Sequence, residues 1–174
     1  MSIRHARNRA EALIDSLDIK KLPIDVEAIA NHFGLPVIKM NLGDDVSALL
    51  VTNPESSCIA VQESDSPVRQ RFSIAHEIGH HYLRHQFEPG EHVHVDRGNY
   101  ISQRSPRSST GLDSKEIEAN QFAACLLMPS KFVKACIDAF NAPQLTDLHV
   151  EQLAKEFKVS DQAMAIRLSA LGFL

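Results

Sequence analysis

The chain has no hydrophobic run long enough to span a bilayer, and its basic N-terminus, Met1-Ser2-Ile3-Arg4-His5-Ala6-Arg7, leads into an amphipathic pattern rather than an apolar signal core. A cytosolic location is therefore expected. The net charge is only −4, so no global basic field draws the chain to nucleic acid or to an anionic membrane. Cysteine is scarce. Cys58, Cys125 and Cys136 are odd in number and widely spaced, with no Cys-x-x-Cys pair, which argues against a disulfide framework and against a thiolate metal site. They read as small core residues. No internal repeat and no clear domain linker interrupt the 174 residues, so a single domain over 1–174 is expected.

What the chain does contain is one dense polar stretch, His76-Glu77-Ile78-Gly79-His80-His81-Tyr82-Leu83-Arg84-His85, with His-Glu-x-x-His at its start. Helical residues turn by about 100° each, so His76 and His80 fall within about 40° of each other, one turn apart. Two imidazoles so placed can grip a single zinc ion. Glu77 is too close in sequence to be an easy third ligand but is well placed to take a proton from a metal-activated water. The context supports a helix here. Ser66-Pro67 supplies an N-cap and a proline at the first helical position, and Val68, Phe72, Ala75, Gly79 and Leu83 form an apolar stripe bordered by the histidines.

Helices are expected over 4–17, after Pro23 with Asp25 as cap and Gly34 as stop, over 67–85 and over 114–128, then over 130–140, 147–157 and 160–171. The runs 36–40, 46–51 and 58–62 read as strands. Their short connections favour an antiparallel meander, with 58–62 as the edge where an extended substrate could add. Helices, then sheet, then helices make the class α+β. Residues 86–113 lack periodicity, apart from an alternation at His92-Val93-His94-Val95. Arg97, Arg104 and Arg107 lie in this segment, which reads as a solvated loop or as a lid over the cleft.

A catalytic zinc takes three protein ligands. A third histidine six residues beyond the second is excluded, because Gln86 stands there. His81 and His85 fall on a different helix face and read as surface or supporting residues. On the later helix Glu118, Phe122 and Cys125 share one face that should be buried, where a carboxylate is costly unless paired or metal-bound. Glu116 has a local explanation as the partner of Asp113 in a capping box. Glu118 has none, and is the expected third ligand. The alternatives are an ion pair between Glu118 and a loop arginine, or ligation by His92, His94 or Asp96. Tyr100, His92, His94 and the loop arginines are candidate donors to the oxyanion.

With these residues in view, the chain resembles the ImmA/IrrE family of zinc metallopeptidases. The resemblance is carried by Arg69 to His80, by Glu116 to Pro129, by Leu153-Ala154, Val159-Ser160, Arg167-Leu168 and Leu171-Gly172, and by Leu22-Pro23-Ile24-Asp25. It implies a zincin-like fold, His76, His80 and Glu118 as zinc ligands, and Glu77 as catalytic acid/base. It also implies cleavage of a helix-turn-helix repressor that controls a mobile element or a stress response.

Residues 144–174 have the look of a helix-turn-helix. From 151 on, however, Lys155, Lys158 and Arg167 are cancelled by Glu151, Glu156 and Asp161, and a DNA-reading helix should be basic. Packing on the core, or docking of the repressor, is the expected role. Three functions remain open: a zinc endopeptidase, a metal-bound regulator that acts by partner binding in a toxin–antitoxin-like module, and a DNA-binding regulator with a vestigial site.

Overall fold

The computed structural model describes residues 2–53, 57–85, 93–96, 111–142 and 144–174, with the side chains of 111–113 aside. The chain runs α1 (Ile3–Ser16), α2 (Val26–His32), β1 (Val37–Met40), β2 (Ala48–Val51), β3 (Cys58–Gln62), α3 (Pro67–Tyr82), β4 (Val93–Asp96), α4 (Gly111–Leu127), α5 (Ser130–Phe140), α6 (Asp147–Phe157) and α7 (Asp161–Leu171). The class is α+β, as expected, with helices on either side of a small mixed sheet in the chain order.

The helix starts are set locally. The side chains of Ser66, Asp25 and Ser160 accept hydrogen bonds from the backbone N–H of Arg69, Ala28 and Ala163, each satisfying a donor that the first turn leaves orphaned. Pro67 occupies the start of α3, where its missing N–H costs nothing. α2 gives way to Gly34, whose φ of +71° suits a residue without a side chain.

The sheet order is β1-β3-β2-β4. β2 runs antiparallel to both β3 and β4, while β1 runs parallel to β3. The expected meander therefore fails at its first step, because β3 lies between β1 and β2. Gln62, at the end of β3, accepts from the Leu42 N–H at 3.3 Å and donates to the Gly43 carbonyl at 2.6 Å, which stitches the 41–43 connection across the strand end. It follows that 58–62 is an interior strand with no edge to offer. Among the described residues, β1 and β4 are the edges.

One sheet face, carrying Ala48, Leu50, Ile59 and Val61, is buried. α3 packs against β2 and β3 and against α2 and α4. Every residue from Ser73 to His80 is buried, polar ones included. Such a helix is apolar all round in an ordinary core; here its imidazoles and carboxylate must find partners inside. α3 and α4 approach closely at Gly79: a Cβ there would lie 3.3 Å from the Cα and O of Ala119 and 3.2 Å from Phe122 Cδ1.

The C-terminal helices are tied to the body of the protein by Arg167. It is 3% exposed, and it donates from Nε to the Met128 carbonyl and from Nη2 to Glu11 Oε1, both at 2.9 Å. Glu11 Oε1 also accepts from the Ser130 N–H. Three helices and the α4–α5 junction thus meet on one ion pair. No described helix is long and apolar enough to cross a membrane.

Candidate metal centre

α3 supplies His76, Glu77 and His80, all essentially inaccessible to solvent. The two imidazoles point their Nε2 atoms at each other, 2.9 Å apart. Behind them, His76 Nδ1 is 2.9 Å from Asn120 Oδ1 on α4, and His80 Nδ1 is 3.0 Å from His85 Nδ1. An amide oxygen only accepts, so His76 donates from Nδ1, and its Nε2 faces the shared space.

The carboxylate that reaches this space is Glu116. Its oxygens lie 3.2 Å from His76 Nε2, 3.3 Å from His80 Nε2 and 3.0 Å from His94 Nε2. Glu118 Oε2 lies 3.2 Å from His85 Nε2, the ring whose Nδ1 faces His80 Nδ1. Glu118 is buried, as its shared face with Phe122 and Cys125 predicts, and His85 is one partner of its carboxylate. The capping box proposed for Glu116 fails, since α4 begins at Gly111, which puts Asp113 inside the helix and Glu116 in its second turn. Asn120, four residues on, shares the Glu116 face, so one side of α4 brings a carboxylate and an amide to the same histidine.

β4 brings in His94 from the opposite wall. Its Nδ1 is 3.1 Å from Glu77 Oε2 and its Nε2 is 3.0 Å from Glu116 Oε1. Flanked by acceptors, both ring nitrogens donate, and the ring links the two carboxylates. Asp96, two residues along on the same strand face, is also buried. His81, half-buried, packs its ring against Phe33 instead. His92, Tyr100, Arg97, Arg104 and Arg107, together with most of the proposed lid, lie outside the described residues.

Burial and these contacts set the charge states. Burial pushes the Glu77 carboxyl up, and the His94 hydrogen bond restores only part of the shift. Burial holds His80 down to about 3. For His94 burial opposes the charge, but hydrogen bonds to Glu116 and Glu77 win and raise it to about 10. His76 is raised in the same way, chiefly by Glu116 against burial. Glu116 is held well below the usual carboxylate range, burial being outweighed by its three histidines. The cluster is built to take up positive charge, either as protons on His76 and His94 or as a cation.

The donor set fits a divalent ion that prefers nitrogen ligands. The Nε2 atoms of His76 and His80 face a Glu116 oxygen, and His94 brings a third ring nitrogen within 4.8 Å of theirs, a ligand only if it gives up its proton. Two nitrogen lone pairs facing each other across 2.9 Å are unfavourable without a proton or a metal between them.

The family model described as Peptidase_M78, IrrE N-terminal-like domain, matches residues 30–169. Among solved structures, a Mycobacterium tuberculosis transcriptional regulator is similar over 97% of this chain, with a TM-score of 0.61 at 18% identity. At that identity the likeness is one of fold, and the chain spans 47% of that protein. No curated protein matches the chain.

Proposed function

The chain belongs to the M78 peptidase family, through its IrrE N-terminal-like domain, and on that premise we propose a zinc-dependent endopeptidase in which His76, His80 and Glu116 hold the metal and Glu77 is the general base. The observation that carries this reading is the convergence of the Glu116 carboxylate on both Nε2 atoms of a buried His-Glu-x-x-His helix. Zinc held by these residues would supply Lewis-acid polarisation of the scissile carbonyl and acidify water at the site towards a pKa of about 7.

The remaining work falls to side chains. Glu77, whose proton affinity burial has raised, takes a proton from the attacking water and passes it to the departing amine as the C–N bond breaks. His94 holds the Glu77 carboxylate in place with one N–H. Its second N–H faces the same space, and we assign it as the donor to the oxyanion. An extended substrate adding to the β4 edge would run past His94, which replaces the interior strand 58–62 as the docking edge.

We further propose a cytoplasmic helix-turn-helix repressor as the substrate, on the family resemblance. Direct DNA binding by α6–α7 is disfavoured by their balanced charge and by the burial of Arg167. The test is to incubate the full chain with a candidate repressor, with and without a chelator. One discrete, chelator-sensitive cut is expected, and Glu77→Gln should keep its zinc while losing at least about 100-fold in rate. A variant that cuts at the wild-type rate would remove Glu77 from the mechanism. Binding of the repressor without any cut would favour a regulator that acts by association.

A further inference from the structure

We propose that Glu118 acts through His85 to fix the tautomer and aim of the His80 ring, a two-step relay that backs the metal site from behind. This rests on the reading of His80 as a ligand.

The argument follows from which atoms can donate. The Glu118 carboxylate accepts only, so His85 donates to it from Nε2 across 3.2 Å. A neutral His85 then has a bare Nδ1, which must accept. The atom facing it, at 3.0 Å, is His80 Nδ1, which must therefore carry its proton there. A neutral His80 protonated at Nδ1 has its lone pair on Nε2, the atom that faces His76 and Glu116. With both rings neutral, each step leaves one assignment, and the assignments agree only when His80 presents Nε2 to the shared space. The two side chains at the end of the relay are almost wholly buried, at 3% and 5% exposure for His85 and Glu118, so water is not free to break it.

The same logic holds for His76 and Asn120 with one step fewer. α4 thus offers a carboxylate at position 116 and an acceptor for each histidine at 118 and 120. Outer partners of this kind hold a ligand ring in one orientation, and their loss commonly weakens metal binding by about 10–100-fold. Glu118 is a positioning residue on this account, and a ligand on the account that its burial first suggests.

Two measurements on the full chain test the relay. Long-range 1H–15N correlation spectra of the metal-free wild type should show His80 protonated at Nδ1 and bare at Nε2. Competition for zinc against a chromophoric chelator should show His85→Phe and Glu118→Ala binding about 10–100-fold more weakly than wild type, with folding checked by circular dichroism. A His80 ring protonated at Nε2 overturns the relay, as do folded variants whose zinc affinity is that of wild type. If one variant does not fold, the spectrum and the other variant decide. A wild-type chain that takes up no zinc overturns the ligand reading instead, and the spectrum alone then decides the relay.

Discussion

Among the described residues, buried charge gathers in two places, and they are built differently. At the α1–α7 junction, Arg167 meets one carboxylate and one carbonyl, and the account closes locally. At the α3–α4 crossing, three imidazoles crowd around two carboxylates, with ring nitrogens in contact and proton affinities displaced in both directions. The first arrangement is complete as it stands and joins elements far apart in sequence. The second is balanced only by added positive charge, which is the mark of a site that binds something.

Breaking each in turn sharpens the contrast. Glu116→Ala should have the largest effect, weakening zinc binding about a thousandfold in chelator competition, since loss of a direct ligand should exceed the 10–100-fold typical of outer partners. Arg167→Met should lower stability by about 3 kcal/mol in urea unfolding, because Glu11 is left without its cation, and should leave zinc affinity unchanged. Should Arg167→Met also weaken zinc binding, the two regions are coupled and the contrast fails. Asn120→Ala strips His76 Nδ1 of its acceptor and should cost about tenfold in zinc affinity. Ser160→Ala, which removes the α7 cap, should cost about 1 kcal/mol in stability with no change at the metal.

The same contrast explains what could be read in the sequence. Helix limits were legible because caps are local: Ser66, Asp25 and Ser160 each do what their type and position predict. Strand order was not, because it rests on a parallel ladder between segments some twenty positions apart, which short connections do not announce. His76, Glu77 and His80 could be named from spacing alone. Glu116 and Glu118 are harder to tell apart: burial singles out Glu118, whereas a site open to substrate favours the carboxylate nearer the surface. The Glu116 side chain is 26% exposed and that of Glu118 only 5%. A usable signal existed in the Glu116-to-Asn120 spacing, which places a carboxylate and a histidine anchor on one helix face. His94 could be named as a rival ligand or oxyanion donor from the alternation of its strand, whereas the partners of His85 depend on tertiary contacts that no local pattern encodes.

The close crossing at Gly79 makes the spacing of two helices depend on a single hydrogen atom. With a methyl group there, Phe122 must turn aside and α4, whose Ala119 backbone also meets it, must retreat from α3 by a few tenths of an ångström. The carboxylate that α4 carries three residues before Ala119 would retreat with it, while the imidazoles stay behind on their own helix. Reactive constellations tolerate displacements of only about 0.5 Å. The reach across this cleft is therefore gauged from inside the His-Glu-x-x-His segment itself, by the one position in it that contributes no side chain.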